Sequence, residues 1–163
     1  MSENLAVCEV EPELKAKLLS FRFRKATNNA AIIMKVDRAK LMVRLEEELE
    51  DVDVDDLREA LPTSQPRFLA YGFKLVHNDG RISYPICFVY SSPQDCKPEL
   101  QMMYAGSILS LVNQVQLTKV LEIRCLEEFT EEWLRSQYIR WNHKQHPLQH
   151  IQCIRHIQHI QYI

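Results

Sequence analysis

Apolar residues along this chain recur first at helical spacing and then in strand-like runs, and the changes of period mark its elements. Leu14, Leu18 and Phe21 share one face of a helix that Pro12 opens, and Glu9, Glu11 and Glu13 bring the charge sign that suits its N-terminus. Ala30 to Val36 and Leu41 to Leu45 read as strands joined by a polar turn at Asp37 and Arg38. Asp53 starts a short helix with Val54, Leu57 and Leu61 inward, and Pro62 stops it. Arg67 to Val76 and Ile82 to Tyr90 flank His77-Asn78-Asp79-Gly80-Arg81, where Asp-Gly supplies the positive φ of a hairpin turn. Phe68, Leu69, Tyr71, Phe73, Leu75 and Val76 in one strand, and Ile82, Tyr84, Ile86, Phe88 and Tyr90 in the other, make both faces apolar. Such strands belong in the middle of a sheet with helices on each side. A long helix from Pro98 through Leu111, a strand from Leu117 to Arg124, and a helix from Glu131 to Tyr138 capped by Thr130 complete the order. The pattern predicts an α/β protein of the α+β type with five strands.

Composition agrees with a folded domain. Of 163 residues, 46% are hydrophobic and 26% charged, the ordinary balance for a globular chain. No apolar run approaches the ~20 residues that span a bilayer, and the start lacks the basic and apolar segments of a secretory signal. The expectation is a cytoplasmic protein without membrane insertion. A formal charge of −2 argues against a general nucleic-acid binder. With only three glycines, at Gly72, Gly80 and Gly106, a glycine-rich phosphate loop is excluded. Cys8, Cys87, Cys96, Cys125 and Cys153 are odd in number and show no C-x-x-C spacing, which points to reduced thiols.

The composition changes near residue 142. Residues 143–163 contain Lys144 and Arg155 and no acid, leaving 18 basic against 22 acidic residues in 1–142. From Gln149 the chain repeats in triplets ending at Ile151, Ile154, Ile157, Ile160 and Ile163. A period of three fits neither a helix at 3.6 nor a strand at 2, so this segment reads as a low-complexity tail, disordered or weakly helical. The domain is therefore 1–142 and the tail 143–163.

Candidate chemistry is sparse. H-E-x-x-H, G-x-S-x-G and P-loop patterns are absent. Cys87 lies in an apolar run and reads as core, while His77 reads as a solvated hairpin residue. The acidic run Glu46 to Asp51, followed by Asp53, Asp55 and Asp56, lacks the glycine and terminal glutamate of a calcium loop and reads as a solvated acidic loop and helix start. His143, His146, His150, Cys153, His156 and His159 are zinc-ligand types without a scaffold, so only adventitious metal binding is expected. No cofactor is expected and no catalytic residue is assigned. Two features point to binding instead. Arg22, Arg24 and Lys25 form a basic cluster at the end of the first helix, with Lys15 and Lys17 on its outer face. Met102 and Met103 are adjacent in the long helix, so one must face out while the other joins the core.

Longer blocks carry a family resemblance. Phe21 to Lys25, Asn28 to Lys35, Gln65 to Phe68, Asp79 to Arg81, Met102 to Ser107, Leu117 to Val120 and Thr130 to Leu134 resemble the glia maturation factors, a branch of the ADF/cofilin homology family. The resemblance covers roughly residues 1–139. It implies a five-stranded mixed sheet between helices and a non-catalytic regulator that binds the actin-related-protein branching complex, inhibits nucleation and debranches filaments. An actin-like wedge, with the N-terminal segment including Ser2 and Asn4 and the long-helix residues Glu99, Met102, Tyr104, Ala105, Gly106 and Ser107, would enter a groove of an actin-related subunit. Arg22, Arg24 and Lys25 would extend that surface. The hairpin from Asn78 to Arg81 would face an actin subunit at the branch junction.

The alternative is a cofilin-like module that severs filaments. Severing relatives carry lysines where this chain has Glu99 and Gln101, and positive charge there suits acidic actin. This chain also has Ile108-Leu109-Ser110 where its branch has a basic stretch. An enzyme using Cys87 or a tail Cys/His site has no paired base in support. The protein is expected to act as a monomer on the actin cytoskeleton. Phosphate on Ser2 or Tyr104 would add about −1.5 to −2 charges and release a close partner.

Overall fold

The structure is a computed structural model describing residues 8–25, 27–116 and 119–144, with side chains as far as Tyr138. In chain order its elements are β1 (Glu9–Val10), α1 (Pro12–Arg22), β2 (Ala30–Asp37), β3 (Met42–Glu50), α2 (Val54–Ala60), β4 (Arg67–Gly72), β5 (Leu75–Val76), β6 (Ile82–Ser83), β7 (Ile86–Ser91), α3 (Pro98–Val115), β8 (Val120–Ile123) and α4 (Glu131–Lys144). The main sheet has the order β1-β3-β2-β4-β7-β8, and β5 pairs with β6 in a separate ribbon. The outer pairs β1–β3 and β7–β8 are parallel and the inner pairs antiparallel.

Side-chain alternation along the central strands builds two cores. Met34, Phe68 and Phe88 face α1 and α3, where they meet Leu14, Leu18, Ile108 and Leu111. Ile33, Leu69 and Cys87 face the other way, toward Leu57 of α2 and Leu134 of α4. Strands buried on both faces explain the unbroken apolar runs in sequence. Helix α2 opens with a reciprocal cap in which Asp53 accepts the Asp56 N–H at 2.8 Å and Asp56 accepts the Asp53 N–H at 3.2 Å.

Three expectations need correction. The sheet has six strands, not five, because Glu9–Val10 adds a parallel edge beside Met42 and Val43. Two residues carry no periodicity. Their strand character rests on main-chain bonds, including Glu9 N–H to Leu41 O and Glu11 N–H to Val43 O, both 3.0 Å.

The acidic run is strand rather than loop, since β3 continues to Glu50. It pairs with β2 while Glu47, Glu48 and Glu50 remain exposed, and charge on a strand so placed discourages edge pairing with other chains. The register shifts between Ile33 and Met34, leaving Glu46 as an extra residue in β3. That bulge reverses the facing of side chains: Leu45 packs against the α1/α3 core, whereas Leu49 packs against the α2/α4 core.

The hairpin strands are interrupted. Gly72 pairs with Ile86 and Val76 with Ile82 in one continuous register, bridged by Phe73 N–H to Pro85 O at 3.1 Å. However, β2 begins opposite Gly72 and β8 begins opposite Phe88, so beyond them the ribbon has no neighbour in the sheet. Val76, Ile82 and Tyr84, expected in the middle of a sheet, are therefore exposed.

Candidate partner-binding surface

Helix α3 separates the candidate residues by face. Tyr104, Ala105, Ser107 and Ile108 are buried against the sheet, and Met103 packs on the same core. Glu99 and Met102 point outward, with Met102 40% exposed, and Gly106 is half-buried. This settles which of the two adjacent methionines serves the surface.

Tyr104 is only 3% exposed, and its hydroxyl accepts the Val36 N–H at 2.9 Å. Burial raises its pKa. The expectation that Tyr104 presents itself to a partner or a kinase is therefore corrected: this side chain closes the core. Ser107 is likewise internal. Its hydroxyl accepts the Cys8 N–H at 3.0 Å and donates to the Met103 carbonyl at 2.9 Å. The bond from Cys8 fastens the start of the described chain to α3. Ser2 and Asn4 lie outside the described residues.

The basic cluster at the end of α1 divides as well. Arg22 donates to Gln116 Oε1 at 2.7 Å and lies over the Phe23 ring at 5.1 Å from its centroid. Arg24 donates to Asn28 Oδ1 at 2.6 Å and covers the Phe21 ring at 5.2 Å. A Cβ added at Gly72 would stand 3.1 Å from Arg24 Nη1, so that guanidinium lies against the sheet. Lys25 is exposed. Phe23, 69% exposed, was not among the expected site residues. Its sequence signal is an aromatic out of phase with Leu14, Leu18 and Phe21.

The hairpin tip is held locally. Asp79 accepts the Arg81 N–H at 3.0 Å and its Nε at 2.7 Å, and those bonds depress the Asp79 pKa. Asn78 is exposed. His77 is half-buried and shares a 2.8 Å hydrogen bond with Ser83 Oγ, so it is part of the ribbon rather than freely solvated. Arg38 Nη2 approaches Glu99 at 4.0 Å. Gln101 turns inward and donates to the Pro93 carbonyl at 3.1 Å. Of the two positions that distinguish severing relatives, only Glu99 reaches solvent fully. The apolar replacement Ile108-Leu109-Ser110 is similarly split: Ile108 is fully buried, and Leu109 and Ser110 are half-buried.

Nucleophilic chemistry finds little support among the described residues. Burial pushes the Cys87 thiol up to about 12 and the Cys96 thiol up to about 11, far from the thiolate a nucleophile requires. No group of three or more His, Cys, Asp or Glu able to hold a metal occurs among the described residues. The tail histidines proposed as stray ligands lie outside the described side chains. No described helix is long and apolar enough to cross a membrane.

Comparison with known proteins places this geometry. The sequence pattern of the cofilin/tropomyosin-type actin-binding proteins matches residues 7–138. Human glia maturation factor beta is 59% identical over 137 residues, covering 84% of this chain and 96% of that protein. Glia maturation factor of Drosophila melanogaster is 50% identical over 137 residues, covering 84% of this chain and 99% of its own. The solution structure of glia maturation factor from Caenorhabditis elegans superposes with a TM-score of 0.71 at 39% identity, covering 80% of this chain and 95% of the other. The chain belongs to the ADF/cofilin family of actin-binding proteins and, within it, to the glia maturation factors.

Proposed function

We infer that this protein regulates branched actin by binding alone: it engages the actin-related-protein branching complex, inhibits nucleation and promotes release of filament branches. Membership of the glia maturation factors carries this reading. The outward face of α3 at Met102 and Gly106, with the exposed Phe23 and Lys25 at the end of α1, supplies the candidate surface, which Ser2 and Asn4 would extend. The hairpin tip at Asn78 and Arg81 supplies the second, toward actin at the junction. We place the protein in the cytoplasm, on the actin cytoskeleton, as a monomer.

The pair Glu99 and Gln101 favours the branching complex over filament sides. One position is acidic and exposed and the other is turned inward, so neither presents a cation to an acidic filament surface. Pyrene-actin assembly with purified branching complex tests the reading. Met102→Glu is expected to weaken inhibition about tenfold or more, because it places a charge in a desolvated contact, while the melting midpoint holds. Wild-type protein that leaves branching unaffected but sediments with and severs bare filaments would establish the severing reading instead.

A further inference from the structure

A cleft of about 540 Å³ opens on the α2/α4 side of the sheet, away from α1 and α3. Its floor is buried and apolar, made by Val54, Tyr71, Phe73, Leu75 and Leu134. The Tyr71 hydroxyl is used internally, donating to the Val52 carbonyl at 3.0 Å. Exposed charges line the rim: Asp51 and Asp53 before α2, Asp56 within it, Lys74 after β4, and Glu131 and Arg135 on α4. Four acids against two bases give a formal balance of −2.

Helix α4 forms a wall of this cleft and also leads into residues 145–163. Lys144, its last residue, stands about 15 Å along the axis from Leu134, at a rise of 1.5 Å per residue. A flexible chain of roughly eight to ten residues spans that distance on average, which returns Ile154, Arg155, His156 and Ile157 to the cleft. Residues 145–163 contain Arg155, four histidines and no acid, the charge sign that the rim lacks. Their period of three also acquires a physical meaning here. An extended polyproline II segment has three residues per turn, so it sets Ile151, Ile154, Ile157 and Ile160 along one edge. His150, Cys153, His156 and His159 then form the next edge.

We propose that residues 153–160 of this chain dock reversibly in its own α2/α4 cleft as an extended strap, with isoleucine on the apolar floor and Arg155, His156 and His159 at the acidic rim. A tether this short holds the segment at an effective concentration in the millimolar range, ahead of any untethered peptide. Arg155 is the fixed cation of the segment, and the histidines add charge as pH falls through about 6.5. They meet Asp51, Asp53, Asp56 and Glu131, opposed by Lys74 and Arg135, so docking strengthens in that range. A docked population near one half changes the folding equilibrium only about twofold; the strap covers the domain without being part of its fold. The cleft lies across the sheet from Met102, so the strap leaves the branch-regulating surface open, and the inference does not depend on that reading.

The test is paramagnetic broadening in the full chain, with a nitroxide on Cys153. Cys125→Ser removes the partly exposed thiol, while burial keeps Cys8, Cys87 and Cys96 protonated and unreactive. Amides of Val52, Phe73, Leu75 and Leu134 should broaden more than those of α3, and about twofold or more strongly near pH 6 than near pH 7.5. Ile154→Ser with Ile157→Ser lies outside the described fold and should reduce that broadening several-fold through the lost apolar contact. Asp51→Asn with Glu131→Gln should reduce it several-fold near pH 6, and an unchanged melting midpoint verifies that the fold of this variant is intact. No preferential broadening at the cleft, broadening centred on α3, or broadening that the isoleucine variant leaves unchanged would overturn the proposal. So would equal broadening of an unlabelled chain mixed with a labelled one, which would make the occupant a second copy.

Discussion

Replacing Tyr104 by Phe tests whether this residue belongs to the core or to the partner surface. Met34 pairs with Phe68 across β2 and β4, so the same register places Val36 opposite Pro66, one residue before β4 begins. The sheet therefore offers no strand partner to the Val36 amide, and the Tyr104 hydroxyl takes that place at 2.9 Å. Phe fills nearly the same volume and leaves no cavity, so the cost is that of a buried donor without its acceptor, about 1–3 kcal/mol. For a chain of this size that corresponds to a melting midpoint lower by roughly 2–12 °C. Urea unfolding should show a lower midpoint with an unchanged slope, since the buried area is the same. Exchange of the Val36 amide should accelerate more than that of its neighbours in β2. Affinity for the branching complex should hold, because the hydroxyl does not reach the surface. A variant as stable as wild type, or one that keeps its stability and loses the partner, would refute the assignment of Tyr104 to the core.

Lys119 is buried, lies 3.5 Å from the Tyr138 ring centroid and donates to the Gln137 carbonyl at 3.1 Å; burial lowers its pKa to about 8. Between that value and the ordinary lysine range the unfolded chain holds more protons, so this group's cost is full below pH 8 and is relieved as pH rises toward about 10.5. Relative to wild type, Lys119→Met should lose that upward contribution, and urea-derived stabilities that run parallel from pH 8 to 10 would contradict it. The buried Ser91 hydroxyl has no hydrogen-bond partner among the described residues, so Ser91→Ala should be neutral or stabilising by up to about 1 kcal/mol, against the usual destabilisation at a buried site; a clear loss in urea unfolding would show that the hydroxyl is satisfied. We propose that the folded domain is residues 1–142 and the remainder an appended tail, although α4 itself runs to Lys144. Ending the chain at Asn142 should shift the melting midpoint by no more than about 2 °C and leave branch regulation intact, and a larger shift or lost activity would mean that the tail packs on the domain.

Much of this molecule is dictated locally. Helix α1 follows from Pro12 and the spacing of Leu14 and Leu18, α2 from the Asp53–Asp56 cap, and the hairpin turn from Gly80, whose φ is +89°. The apolar runs at Phe68 to Tyr71 and Ile86 to Tyr90 require cover on both faces of the sheet, and the structure supplies α1 with α3 and α2 with α4. These features are legible because backbone propensity and apolar period are properties of neighbouring residues.

Contacts between distant residues decided the rest. β1 exists only because Met42 and Val43 offer it an edge, and the acidic residues Glu46 to Glu50 enter a strand because β2 supplies their main-chain partners. Val76, Ile82 and Tyr84 are apolar yet exposed because β2 and β8 do not reach that far along the hairpin. Tyr104 and Met102 sit two positions apart in one motif, but the missing partner of Val36 draws the first inward while helical rotation turns the second out. The sequence places both residues in the motif; the end of a neighbouring strand determines which of them a partner can reach.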